Sequence, residues 1–88
     1  MARALHKLTA MQVNKATRPG LYSDGGGLFL RIGPTGAKSW TFRFAERGRT
    51  HEMGLGPTHT VTLAEAREKA LQAGKLRLDN INPIEARR

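Results

Sequence analysis

Within a run from about Lys38 to Ala45, apolar and polar side chains alternate from Ser39 to Phe44, with Trp40, Phe42 and Phe44 on one parity and Ser39, Thr41 and Arg43 on the other. Successive side chains of an extended strand point to opposite faces. This alternation therefore specifies a half-buried strand, one face on a core and the other on solvent. Leu28-Phe29-Leu30-Arg31-Ile32 supplies a second run of strand-forming types, which Gly33-Pro34-Thr35-Gly36 interrupts. After the tight turn Arg47-Gly48, a third run follows at once. Connections this short join antiparallel neighbours, so residues 28–32, 38–45 and 49–55 are expected to form a three-stranded meander.

The period of two also assigns the faces. Leu28, Leu30, Ile32, Trp40, Phe42, Phe44, Met53 and Leu55 make one apolar surface, and Phe29, Arg31, Ser39, Thr41, Arg43, Thr50 and Glu52 make the other. The three aromatics on the apolar parity belong to the core rather than to a base-stacking platform, because the chain offers no other core. Phe29 is the exception on the polar face. It either meets a ligand there or is covered by the N-terminal segment.

Two helices flank the strands. Thr9-Ala10-Met11-Gln12 has the form of a capping box, with Leu8 and Val13 at the staple positions, and opens a short helix over about 10–16 that Arg18-Pro19-Gly20 ends. Thr62-Leu63-Ala64-Glu65 is a second capping box, opening a helix that runs to about residue 78. Leu63, Ala66, Ala70 and Ala73 give that helix a narrow stripe of small residues, flanked by Leu71 and Leu78, suited to close packing on a sheet. Asn80-Ile81-Asn82-Pro83 stops it. The expected fold is therefore α+β: a three-stranded antiparallel meander with a short N-terminal helix and a C-terminal helix packed on one face. Eighty-eight residues suffice for one such domain, assigned to residues 1–82, with 83–88 read as the start of a linker.

Several classes of function are disfavoured. The chain has no cysteine, hence neither disulfides nor thiolate metal sites. His6, His51 and His59 are too scattered and too poor in nearby carboxylates or thiols to argue a metal site, so no metal or other cofactor is expected. The first residues lack the apolar run of a signal peptide, and no stretch approaches the roughly 20 apolar residues of a membrane span, which makes the cytoplasm the expected compartment. Gly25-Gly26-Gly27 matches neither phosphate-loop pattern and precedes a strand, so it reads as a turn. Tyr22 beside it lacks an activating neighbour and reads as packing. No catalytic constellation is visible, and the chain is not expected to be an enzyme by itself.

What does stand out is charge. Fifteen Lys and Arg against seven Asp and Glu leave a net charge of +8, concentrated in the first two-thirds of the chain. So strong a field on so small a domain favours a polyanionic partner. The outward face places Arg31 and Arg43 mid-strand, with Lys38, Arg47 and Arg49 beside them at the turns. Arginine bridges phosphates and also donates two hydrogen bonds to guanine O6 and N7. Nucleic-acid binding is favoured over a merely solvated face. An RNA duplex and a protein–protein role for a sheet edge or the last helix stay open.

The residues carry one further signal. Leu8-Thr9, Gly27-Leu28-Phe29-Leu30-Arg31-Ile32, Gly36-Ala37-Lys38-Ser39-Trp40-Thr41-Phe42-Arg43-Phe44, Met53-Gly54-Leu55-Gly56 and Leu63-Ala64-Glu65-Ala66-Arg67-Glu68-Lys69-Ala70 occur in order and with spacing. Together they resemble the N-terminal, arm-type DNA-binding domain of tyrosine recombinases from prophages and integrative islands, over about residues 8–87. The resemblance departs at 56–61, where no aromatic stands, and at Asn82, where an acidic residue is often found. It implies a three-stranded sheet inserted into the major groove of double-stranded DNA at arm sites of an attachment region, with recombination chemistry residing in a separate domain. It also implies other integrase protomers as partners. On this chain, it makes Phe29, Arg31, Ser39, Thr41 and Arg43 the candidates for base contacts. Lys7, Lys38, Arg47 and Arg49 become the candidates for phosphate contacts, which position without specifying.

Overall fold

The computed structural model describes residues 5–88. Its elements are α1 (Ala10–Lys15), β1 (Gly20–Gly25), β2 (Leu28–Ile32), β3 (Lys38–Glu46), β4 (Arg49–Pro57), α2 (Leu63–Leu78) and α3 (Pro83–Arg87). The strands form one antiparallel sheet in the order β1-β2-β3-β4. The α+β meander is as expected, but the sheet has four strands instead of three.

The strand that sequence reading passed over is β1. Its inward residues are Tyr22 and the carboxylate Asp24, so no apolar alternation marks it, and Gly25-Gly26-Gly27 draws attention to a turn alone. That turn is real: all three glycines have positive φ. Before it, the register runs Leu21↔Arg31, Tyr22↔Leu30 and Ser23↔Phe29, then shifts so that Gly25 faces Leu28 and Asp24 occupies a bulge. Gly27 is also pressed from inside the sheet. A Cβ there would stand 2.8 Å from the Phe42 ring and 2.9 Å from the Arg43 carbonyl.

Between β3 and β4, Arg47 (φ 53) and Gly48 (φ 77) form a two-residue left-handed turn suited to strand twist. At the far end of this hairpin a register shift falls between Trp40 and Thr41, so Leu55 is the extra residue between Gly54 and Gly56.

One face of the sheet carries the core. Leu28, Leu30, Ile32, Trp40, Phe42, Phe44 and Leu55 are buried against Ala66, Ala70 and Ala73 of α2 and against Val13 and Val61. The alanine stripe lets the helix sit near the aromatic residues of β3, as the small side chains predicted. Leu71 and Leu78 on its flank remain outside, 52% and 85% exposed. Trp40 is closed in completely, and its Nε1 donates to the Val61 carbonyl at 2.8 Å, so its polar atom is satisfied inside the core. Both capping boxes form, at Thr9 with Gln12 and at Thr62 with Glu65.

Residues 83–88, read from the sequence as the start of a linker, hold α3 over Pro83–Arg87, and Pro83 is fully buried. Asn82 accepts from the Ile84 and Glu85 amides and donates through Nδ2 to Glu46. A proline that stops one helix is equally suited to the first position of the next when a capping residue precedes it.

Candidate nucleic-acid interface

The face of the sheet opposite α2 presents Leu21 and Ser23 from β1, Phe29 and Arg31 from β2, Ser39, Thr41, Arg43 and Ala45 from β3, and Thr50, Glu52 and Gly54 from β4. All five residues expected to contact bases are on it. They are not equally available. Arg43 lays its guanidinium over the Phe29 ring, 5.4 Å from the centroid, an arrangement that holds the fork in place. Its Nε is buried with no hydrogen-bond partner among the described residues. Phe29 is only half-buried, and among the described residues Arg43 lies over its ring. Residues 5–8 run instead on the α2 side, where Leu5 and His6 stand near Ala70 and Leu71.

Arg31 is exposed and makes an ion pair with Glu52. In the register Arg31 faces Ser39, and Glu52 faces Arg43. A side-chain bridge between them crosses β3 at Thr41. This accounts for the burial of Thr41, 6% exposed although it lies on the outward face. Ser39 is half-buried at one side of this bridge.

The candidate phosphate contacts divide. Arg47 and Arg49 are exposed at the β3–β4 turn. Lys7 is exposed near the β1–β2 turn, with its amide donating to the Asp24 carbonyl. Arg43 donates its amide to Gly27, which brings both turns to one end of the sheet. Lys38 is elsewhere: it pairs with Ile32 at the opposite end, and its Nζ donates to the carbonyls of Val13 (2.8 Å) and Asn14 (3.0 Å). It fastens the end of α1, where a positive charge also meets the helix dipole favourably. The signal was present in the sequence, since Lys38 shares its parity with Trp40. His51, on the same parity as Phe44 across the register, stacks on that ring at 5.4 Å on the core side.

Behind the face, Asp24 is buried with its carboxylate held by Arg67 Nε and Nη2 (both 2.9 Å) and by the Leu8 amide (2.9 Å). Arg67 also donates to the Leu8 carbonyl. Burial alone would raise the Asp24 pKa. The hydrogen bonds from Arg67 and Leu8 and the Arg67 charge outweigh it, and the carboxyl lies below its ordinary value of 3.8. This knot ties the N-terminal segment, β1 and α2 together and so fixes the edge of the outward face. Sequence reading missed it, along with Leu21 and Ser23, because all three depend on β1.

A family model described as an arm DNA-binding domain matches residues 8–88. The chain belongs to that family. The domain is 39% identical over 62 residues to the prophage integrase IntZ of Escherichia coli strain K12, covering 70% of this chain and 15% of that protein. It is 37% identical over 82 residues to the integrase of Enterobacteria phage P4, covering 88% of this chain and 19% of the relative. The integrase of Shigella phage Sf6 is 33% identical over 84 residues, covering 92% and 22% respectively. The domain thus spans less than a quarter of the length of these curated relatives. Among its described residues no helix is long and apolar enough to cross a membrane, and no group of His, Asp or Glu is arranged to hold a metal ion.

Proposed function

We propose that the domain reads double-stranded DNA by laying its outward sheet face in the major groove at arm-type sequences of an attachment site, as the N-terminal part of a site-specific integrase. The observation that carries this reading is the Arg43 guanidinium, stacked on Phe29 and without a side-chain hydrogen bond among the described residues, on a polar sheet face. Arg31 and hydroxyl side chains lie beside it, and exposed Arg47, Arg49 and Lys7 stand at one end. A major groove about 12 Å wide admits β-strands, and arginine forks match guanine O6 and N7 there. In this reading Phe29, half-buried beneath Arg43, meets a thymine methyl or a sugar with the part of its ring left exposed. Arg47, Arg49 and Lys7 then neutralise phosphates, while Lys38 stays on α1.

In this reading strand exchange belongs to a further region of the longer protein, where a nucleophilic tyrosine acts, and the domain by itself cuts nothing. The integrase works on DNA in the cytoplasm of its host. Contact with other integrase protomers is a second reading, favoured by the exposed Leu71 and Leu78 on α2, on the other side of the sheet from the DNA.

The test is titration of the domain into labelled duplexes tiling the attachment region, against a scrambled duplex, at several salt concentrations. Three phosphate contacts give a slope near −2.7 in log K against log salt, or roughly a 40-fold loss between 50 and 200 mM. Selective binding with that slope supports arm-site reading. Equal, weak binding to every duplex refutes it.

A further inference from the structure

Glu52 is out of place on a face that meets a polyanion. Among the described residues it is the sole acid on the outward parity of the four strands, since Asp24 is held by Arg67 and Glu46 by Arg77 and Asn82 on the core side. Paired with Arg31, Glu52 cancels one of the few cations of that face, a cost to attraction unless the carboxylate also meets a hydrogen-bond donor in the DNA. The major-groove edges offer such donors only at the N4 amino group of cytosine and the N6 amino group of adenine.

The partner of Glu52 narrows the choice. The carboxylate is bound to Arg31 through one oxygen and one guanidinium nitrogen, with side-chain exposures of 45% for Arg31 and 40% for Glu52. That bond uses one of the five guanidinium N–H donors, and the second carboxylate oxygen has no other partner among the described residues. The joined pair therefore presents, side by side on an exposed surface, guanidinium donors followed by a carboxylate acceptor. A G·C pair shows the complement across the major groove: acceptors at N7 and O6, then the N4 donor. An A·T pair shows acceptor, donor, acceptor, which the pair does not match.

We infer that Arg31 and Glu52 act as one composite reader of a G·C base pair, Arg31 donating to guanine O6 and N7 and Glu52 accepting from cytosine N4. Glu52 is then a specificity-determining residue. Its bond to Arg31 sets the spacing of donors and acceptor before DNA arrives. The inference rests on the major-groove reading above.

The experiment selects duplexes from a randomised library with the wild-type chain, Glu52→Gln and Arg31→Ala, and sequences the bound fraction. Both side chains are exposed, so both variants fold, which circular dichroism checks. The wild type is expected to demand G·C at one position. Both variants lose that demand at the same position by roughly 5- to 150-fold and keep their preferences elsewhere. If Glu52→Gln keeps every preference and only binds all duplexes more tightly, the carboxylate merely cancels a cation and the composite reader is overturned. Losses at two different positions overturn it as well. A wild type with no preference at any position defeats the major-groove reading itself.

Discussion

Asp24→Asn tests the knot that joins the N-terminal segment to the sheet and α2. The side chain of Asp24 is 2% exposed and that of Arg67 26%. The substitution keeps the shape, removes the charge and turns an amide donor toward the guanidinium. Breaking a buried ion pair by neutralising one partner costs about 3–5 kcal/mol. Because Arg67 keeps some contact with water, the lower end of that range, about 3 kcal/mol, is expected. For a domain whose total stability is on the order of 4–13 kcal/mol, the loss is severe. It corresponds to a fall in Tm of about 12–24 °C.

Urea unfolding at pH 7 measures the loss, and a pH series tests its cause. The folded-state pKa of Asp24 lies below the unfolded value near 3.8, so its ionisation stabilises the fold above that pH and ceases to do so as the pH falls through the lower, folded value. The gap between wild type and Asp24→Asn is therefore constant at neutral pH and narrows below about pH 4. The double variant Asp24→Asn, Arg67→Met should regain part of the loss, since no unpaired charge is left behind. A single variant within about 0.5 kcal/mol of wild type at pH 7, or a gap unchanged down to pH 2, refutes the account.

Lys38→Met should lower stability by about 1–2 kcal/mol through the loss of two hydrogen bonds to α1, and leave the salt slope of DNA binding unchanged; a slope shallower by about 0.9 makes Lys38 a phosphate contact after all. Arg47→Asn has the opposite profile: it relieves positive φ at the turn, raising stability by a few tenths of a kcal/mol in thermal melts, while the salt slope shrinks by about 0.9. Trp40→Ala should cost about 3–5 kcal/mol in denaturant, and Trp40→Phe less, since it empties less volume but still strands the Val61 carbonyl. Arg43→Ala should weaken specific binding by about 1–3 kcal/mol with melting little changed; equal losses on specific and scrambled duplexes tell against base reading.

The parts of the fold that were legible share one property, a strong periodic contrast. Trp40, Phe42 and Phe44 fix β3 and its faces, and the two capping boxes fix the helix starts, because each pattern has one geometry that satisfies it. β1 has no such contrast: its inward positions are Tyr22 and Asp24, and Asp24 becomes an inward residue only because Arg67, 43 residues later, supplies its partner. A buried carboxylate whose counter-ion lies on another element leaves no local trace. The same holds at α3, where Asn82 and Pro83 are read as a stop until Glu46 and the sheet edge are there for them to pack on.

Charge is the subtlest of these signals, because a cation counts the same in composition wherever it ends up. Arg67 and Arg77 are fastened by Asp24 and Glu46, so within the domain they cancel and contribute little to any partner. Lys38 and Arg87 are fastened by backbone carbonyls of α1 and of Gly54, which carry no net charge, so both still add to the positive field of the domain. That division explains how a domain of net charge +8 can commit several basic residues to its own architecture and remain strongly basic. It also separates attraction from reading. Long-range attraction sums over every unneutralised cation, whereas in the proposed reading selectivity falls to the few, Arg43 on its Phe29 support and Arg31 beside Glu52, that the outward parity of the sheet holds in a defined orientation.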